Sequence, residues 1–513
     1  LLVTNTIQDD AKNYTLNSPD MFAIGEFYPP TGHAHRLERY RENKKLFLGK
    51  HYDVFERMNN RLSKTQRDIV YISVNIAGLV CKKSADFLFG ETPSYSAGRD
   101  DQSNEQQAIE RLVTSNDLNI TNYESALGTS YRGDSFYKIR WGQRYEGALD
   151  VSIDPFRIFI DAQNAEYVFP ETSATDANNV IAYHVAYPVA IEIEGSDEWF
   201  LYVESHYAGK IIYRKFRMDA LETNIDNVVK SWKIYAEITE VRTEVETGIP
   251  FPLIVHVPNF STDDSWEGID DLSEIKPLLD ELNNRLSLLA VILDKHSDPA
   301  IAIPAGAMDT DENGQPIFHV GRDKVFEVMD KNEVIPQYIT WDGQLNAAFK
   351  EIETLIDMIL MTSEIPAVAL GKGDSGTSGS SGLSIKWRMN SLLAKINRKR
   401  QYYDRALRRV LLIAQLVEHD RLGKVKAGYD VVNPIVRFKD GLPDDELEQA
   451  QIYSLRLGGK STLSQKSAIM RLDNLTEEQA DRELGRIQAE DKALAFVDSS
   501  VFNAETKPTG TEA

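Results

Sequence analysis

The sequence predicts an α+β fold, with helices and strands in separate stretches of the chain. Three observations predict it. From Gly147 to Pro258, Tyr, Val and Ile alternate with polar residues, the period-two pattern of half-buried strands. Leu272, Ile275, Leu279, Leu282, Leu286, Leu289 and Leu293 recur at alternating spacings of 3 and 4, a heptad seam. The stretch from Leu383 onward carries apolar stripes at helical spacing. A chain of 513 residues exceeds one ordinary core, so roughly two to four domains are expected.

Composition narrows the class. The apolar fraction of 42% and charged fraction of 27% are those of a soluble globular protein. A single cysteine, Cys81, excludes an intrachain disulfide and a cysteine-cluster metal site. No apolar run approaches the ~20 residues of a membrane helix; "SLLAVIL" and "VLLIAQLV" are of core-helix size. The start, "LLVTNTIQDD", has no basic region of the kind that opens a signal peptide, so none is expected. The net charge of −22 argues against tight wrapping of nucleic acid but is compatible with DNA that must pass without sticking.

Taken in order, the first ~60 residues read as helical, with Tyr40, Leu46 and Phe47 on one face of "RLERYRENKKLFLGKHYDVFERMNNRL". "SVNIAGLVCKKSADFLFGETP" reads as a helix closed by Gly90 and Pro93, and "NYESALGTSYRGDSFYKIRW" as a helix entering a strand through Gly133. Strands follow, including "DVSIDPFRIFIDA" and "FPLIVHVPNF". Pro277 is expected in the first turn of the seam helix, where its missing N–H costs nothing. A small β segment with a turn at Asn313-Gly314 separates this helix from a second, marked by Leu345, Phe349, Ile352, Ile356 and Ile359 and ended by Pro366. A long helix runs from Leu383 to about His419 on a stripe of Met389, Leu392, Leu393, Ile396, Tyr403, Leu407, Val410, Leu411 and Ala414. Three further helices follow, the last with a capping box at Thr476 and Gln479, and the tail "NAETKPTGTEA" reads as disordered.

Tests for chemistry fail. "GGKST", Gly458–Thr462, resembles the end of a phosphate-binding loop, but the pattern requires Gly where Ser454 stands and a strand where a helix is expected. A helix end followed by a new helix start explains it better. The stretch Gly371–Gly382 holds five Gly and four Ser, yet Lys372 is followed by Gly373 rather than Ser or Thr, so a flexible loop fits better than a nucleotide cradle. His33, His35 and His51 have no acidic partner at ligand spacing and read as surface or packing residues. No nucleophile–base arrangement is supported. The expected counts are therefore no catalytic residue, no cofactor and no metal. Residues 381–410 hold nine Lys or Arg and one Asp. In so acidic a chain, their basic side chains are expected to pair with acidic neighbours rather than with nucleic acid.

The order of elements resembles the portal proteins of tailed bacteriophages, of the siphovirus type. The resemblance spans roughly Tyr40 to Phe496. It is carried by "NIAGLVCKKSADFLFGETP", "SIDPFRIFID", "LLDELNNRLSLLAVILDKHSDPAIAI" and "LRLGGKSTLSQKSAIMRL" in that order. It implies a portal fold: a wing from residues 1–268, a first stem helix at 269–297, a clip at 298–343, a second stem helix at 344–365 and a tunnel loop at 366–382. The long wing helix and its return would follow at 383–440, a helical crown at 441–500 and a disordered tail at 501–513.

The resemblance further implies a ring, a dodecamer in this family, at one vertex of the capsid, with a channel for double-stranded DNA during packaging and ejection. The implied partners are copies of the same chain, the DNA, terminase, the head-completion adaptor, and capsid and scaffolding proteins, with no membrane. The implied location is the virion, and the host cytoplasm during assembly. Gly371, Lys372, Gly373, Asp374, Ser375, Gly376, Thr377, Ser378, Gly379 and Ser380 would face the DNA. Gly supplies conformational freedom there, Ser supplies neutral hydrogen bonds, and Lys372 and Asp374 nearly cancel in charge. Leu279, Leu282, Leu286, Leu289 and Leu293 would pack the stem, and Arg398, Arg405 and Arg409 would pair across subunits. Two other classes stay open at this point: a nucleotide-binding enzyme using the Gly-rich loop, and a ring adaptor that never touches DNA.

Overall fold

The computed structural model describes residues 20–55, 71–100, 102–173, 175–193, 195–223, 229–297, 345–371, 386–439, 446–458, 461–472 and 477–502, and four two-residue strands between 301 and 338. The chain forms two units, residues 1–372 with 389–441, and residues 373–388 with 442–513.

The first unit mixes helices and sheets. Helix α1 (Ala34–Phe47) ends before the predicted run does: Gly49 turns the chain at φ 77°, a 3-10 turn, His51–Asp53, follows, and residues 56–62 of the run lie outside the described residues. Helix α2 (Ile76–Phe89) starts on Asn75, whose side chain accepts from Gly78 N–H, and stops at Gly90 as the pattern predicts. Helices α3 (Asn104–Ser115) and α4 (Leu118–Arg132) follow. Gly133, at φ 94°, then turns the chain directly into strand β3 (Asp134–Gly142). Residues 151–154, expected to be extended, form a turn and a bend, and β4 (Arg157–Gln163) starts three residues on.

Two sheets organise this unit. β11 (Ile254–Pro258), β3 and β4 form an antiparallel three-stranded sheet. The larger sheet runs β1-β9-β8-β7-β6-β5, where β1 is Phe27–Tyr28, β5 Val168–Ser173, β6 Asp176–Ile193, β7 Ser196–Tyr207, β8 Lys210–Thr223 and β9 Val229–Glu237. β10 (Thr243–Glu246) pairs with the start of β8. Phe22, Tyr28, Leu37, Tyr40, Phe136, Phe169, Phe216 and Ile234 form one buried cluster between the larger sheet, α1 and β3. A short pair, β2 (Ser94–Ser96) with β16 (Ile435–Arg437), lies at the edge.

Helix α5 (Lys276–Ser297) carries the seam, with Pro277 as its second residue. At ~1.5 Å per residue it extends about 33 Å. It packs against α6 (Leu345–Thr362), and Arg285 Nε lies 3.0 Å from Glu351 Oε1 across the pair. Between them β12 (Ile301–Ala302) pairs with β15 (Gln337–Tyr338), and β13 (Asp309–Thr310) with β14 (Pro316–Ile317), the latter bracketing Asn313-Gly314. Helix α7 (Asn390–Leu422) buries Leu392, Ile396, Tyr403, Leu407, Val410, Leu411 and Ala414 against β3, β4, β11 and α2; of the predicted start, residues 386–388 are helical with a break at Met389, and 383–385 lie outside the described residues.

The second unit contains α8 (Glu446–Leu457), α9 (Gln465–Leu472) and α10 (Glu477–Phe502). Ser464 Oγ accepts from Ser467 N–H at 3.2 Å at the start of α9, and Lys466 bridges to Asp481 at 2.8 Å. "GGKST" follows α8, with Gly458 N–H bonded to Ser454 C=O at 2.9 Å, so a helix end precedes it. Thr476 of the expected capping box and the tail 503–513 lie outside the described residues.

Candidate functional site

The two helices that bracket the small β insert are rooted on α7 by a buried cluster of charges. The chain leaves β11 at Pro258 and reaches α5 through Asn259–Ile275. Asp270 organises the last turn of this approach: Oδ1 accepts from Leu272 N–H (2.8 Å) and Ser273 N–H (2.6 Å), and Oδ2 accepts from the Ser273 hydroxyl (2.7 Å). Burial pushes its carboxyl above the usual carboxylate range.

Asp271 points the other way, into the core. Its Oδ2 accepts from Lys399 Nζ (2.5 Å) and the Ser130 hydroxyl (2.5 Å), and its Oδ1 accepts from Asn259 Nδ2 (3.1 Å) and lies 3.1 Å from Lys395 Nζ. Lys395 also donates to Ser363 C=O at 3.0 Å, just past the end of α6. One carboxylate therefore joins the approach to α5, helix α4 and helix α7, and Lys395 adds the end of α6.

Electrostatics explain how the charges stay buried. Burial alone would raise the Asp271 carboxyl, but the charges of Lys395 and Lys399, with hydrogen bonds from Lys399 and Ser130, hold it well below the usual range. Burial lowers the Lys399 ammonium to about 8, against the pull of Asp271. Two ammonium groups against one carboxylate leave a positive excess, and Lys395 spends it on the carbonyl end of α6, where the helix dipole is negative. Cys81 lies alongside; burial raises its thiol to about 12, so it stays protonated and inert.

A second buried knot holds the base of this approach. Asp134 Oδ1 accepts from Gly268 N–H (2.8 Å) and faces His256 Nε2 (2.7 Å), while Oδ2 accepts from the Tyr40 hydroxyl. Burial opposes ionisation, yet the His256, Tyr40 and Gly268 contacts outweigh it and hold the Asp134 carboxyl low. Gly133 and Gly268 approach back to back: a Cβ on Gly268 would meet Gly133 O at 1.9 Å.

A cleft of about 590 Å³ opens between α7, β6, β11 and the 261–266 loop, lined by Tyr183, Asp263, Trp266, Tyr402, Arg405 and Arg409 among others. Tyr402 pins the loop, its hydroxyl accepting from Ser261 N–H at 3.3 Å. Burial raises the Tyr183 hydroxyl to about 12, while Arg409 and Arg405 pull it the other way.

The residues singled out from the sequence fall in three places. Leu279 and Leu282 are fully buried and Leu289 nearly so, Leu286 is half-buried, and Leu293 is 45% exposed. Arg398 pairs with Glu364 of its own chain. Arg405 lies 5.8 Å from the Tyr402 ring and Arg409 5.1 Å from the Phe251 ring; both are exposed and line the cleft. Gly371 is described, in left-handed conformation, and Lys372–Ser380 lie outside the described residues. His33 packs edge-on to Phe169 and His51 bonds Asn283 at 2.9 Å, and no group of metal-ligating side chains occurs among the described residues. No helix among them is long and apolar enough to cross a membrane. Sequence reasoning missed Asp271, Lys395 and Lys399. The available signal was two lysines standing inside the apolar stripe of α7, at the spacing of Leu392, Ile396 and Tyr403.

No curated protein matches the chain. Among the solved chains similar to this one is one from the virion of a native gene transfer agent particle, 11% identical with a TM-score of 0.39, covering 80% of this chain and 92% of that one. Another is from the neck of an empty gene transfer agent particle, 12% identical with a TM-score of 0.40, covering 80% and 93%. The sequence pattern of the family described as phage portal protein, SPP1 Gp6-like, matches residues 28–495, and the chain belongs to that family.

Proposed function

We propose that the chain is one subunit of a ring, a dodecamer, at a single capsid vertex of a tailed phage, and that double-stranded DNA enters and leaves through its central channel. In this reading α5 and α6 are the stem, residues 298–343 form the clip that docks terminase and later the head-completion adaptor, and residues 366–382 line the channel. The sheets and α7 form the wing, and residues 441–500 the crown. The family match over residues 28–495 carries the reading, because it runs from the proposed wing into the proposed crown. The helix pair around a small β insert supports it. The role is architectural. The charge of −22 per subunit suits a conduit, since phosphate neutralisation would hold DNA in place.

Electron microscopy of the purified chain tests this. Closed rings with a channel wide enough for duplex DNA are expected. Monomers, open filaments or rings too narrow for a duplex would refute it.

A further inference from the structure

Two like-charged pairs on the first unit are each unfavourable alone and fit each other. Arg405 and Arg409 are four residues apart on α7, on one helix face, where like charges repel. Neither has a carboxylate within ion-pair distance among the described residues, although Asp and Glu outnumber Lys and Arg by 79 to 57 in the chain. The only acidic side chain lining the cleft is Asp263. At the far end of β6, Glu192 stands directly across from Asp197 of β7, with Ile191 across from Glu198. Like charges directly opposed on neighbouring strands are destabilising. Glu192 and Asp197 are exposed, and neither these two nor Glu198 has a cationic partner among the described residues.

The cleft and the acidic tip lie on the same strand. Tyr183 lines the cleft and Glu192 marks the tip, nine residues along β6, or about 30 Å at the rise of a strand. A subunit cannot bring the two together by itself. A contact between them requires a second copy, and it joins different surfaces on the two copies. Such a head-to-tail contact closes into rings when its rotation permits.

We propose that the acidic β6–β7 tip of one subunit docks in the Arg405–Arg409 cleft of the next. This rests on the ring reading above and names the surfaces that close it. Guanidinium forks suit carboxylates, and Tyr183, Trp266 and Tyr402 give the cleft a rigid aromatic lining that limits the entropy lost on docking. The opposed charges also steer subunits into one register.

The test is charge exchange on the full chain, read by mass photometry and electron microscopy. Arg405→Glu with Arg409→Glu is expected to reduce the ring fraction at least tenfold. Glu192→Lys with Asp197→Lys is expected to do the same, and mixing the two variants should restore assembly through tip-reversed and cleft-reversed neighbours. The milder Arg405→Gln with Arg409→Gln guards against misfolding. In addition, Asp197→Cys with Arg409→Cys should give a ladder of disulfide-linked oligomers under oxidising conditions, because the native Cys81 is buried. Normal rings from the reversed cleft, with wild-type rings present, overturn the docking proposal alone. No rings from the wild-type chain, together with no disulfide ladder from the double-cysteine variant, overturn both readings. Normal rings with weakened duplex-DNA binding would assign the cleft to phosphate instead.

Discussion

Lys399 Nζ lies 2.5 Å from Asp271 Oδ2, with the two side chains 2% and 1% exposed, although 128 residues separate them in sequence. The contact fastens the approach to α5 onto α7, and Lys395 does the same for the end of α6. The joint is one of the links between the helix pair and the sheets, beside the Asp134 knot at Gly268.

Asp271→Asn should therefore be severe. It leaves two buried ammonium groups without a counter-charge, and breaking a buried pair costs about 3–5 kcal/mol. Adding Lys399→Met to Asp271→Asn should recover part of the loss, because the stranded charge is removed with it. Urea unfolding of the three proteins checks this; a single Asp271→Asn variant within about 1 kcal/mol of wild type would show that the joint bears no load.

The back-to-back glycines make a sharper steric prediction. A Cβ on Gly268 would stand 1.9 Å from Gly133 O, inside any tolerable contact, whereas one on Gly147 meets nothing within 4 Å and suffers only its left-handed φ of 75°. Gly147→Ala should cost about 1–2 kcal/mol. Gly268→Ala should cost clearly more, since main chain on both sides has to move. Equal thermal midpoints for the two variants would contradict the close approach.

Much of this architecture was legible because local signals agreed with the tertiary result. The seam spacing located the side of α5 that buries Leu279, Leu282 and Leu289, and Gly133 marked the helix-to-strand turn that its φ of 94° makes. The predicted N-terminal helix ran too far because charge and apolar spacing continue through Gly49, while the backbone there is left-handed. The Asp271 joint was not legible. Its members come from distant segments, and a lysine in an apolar stripe reads as an exposed flank until its partner is known. The acidic tip was hidden similarly, because strand register, not composition, brings Glu192 opposite Asp197.

The seam predicts a split between two leucines. Leu282 is fully buried within the chain, so Leu282→Ala should cost about 2–5 kcal/mol of stability. Leu293 is 45% exposed, so Leu293→Ala should leave subunit stability nearly unchanged. If a neighbouring subunit covers Leu293, the same change should lower ring yield. Chemical denaturation and ring counting on both variants distinguish these effects, and a large loss of subunit stability from Leu293→Ala would be inconsistent with its exposure.

Acid should weaken the first unit through histidines buried in the neutral form. Burial lowers His33 to about 3 and also lowers His206 and His51. The unfolded chain binds these protons from about pH 6.5 downward while the folded chain does not. Stability is therefore full above that value and falls as pH drops toward the folded values. The denaturation midpoint should be lower at pH 5.5 than at pH 7. His33→Phe, which keeps the edge contact to Phe169, should flatten the dependence. An unchanged slope in that variant would remove His33 from the explanation.

The last prediction concerns the Gly/Ser stretch proposed to face DNA. Five glycines in the twelve residues Gly371–Gly382 leave little side chain to pack, so in the proposed reading the stretch is expected to act through its length rather than through side-chain contacts. The chain before it is anchored: Glu364 pairs with Arg398, and Ser363 C=O accepts from Lys395. Deleting Ser375, Gly376, Thr377 and Ser378 should therefore leave ring assembly intact, since closure entropy changes slowly with length, by a few tenths of a kcal/mol here. DNA passage or retention should change. Ring images of the deletion variant, together with phage yield and packaged DNA length, check this. Lost rings would make the stretch a structural joint, whereas normal rings with normal yield would free it of any part in handling DNA.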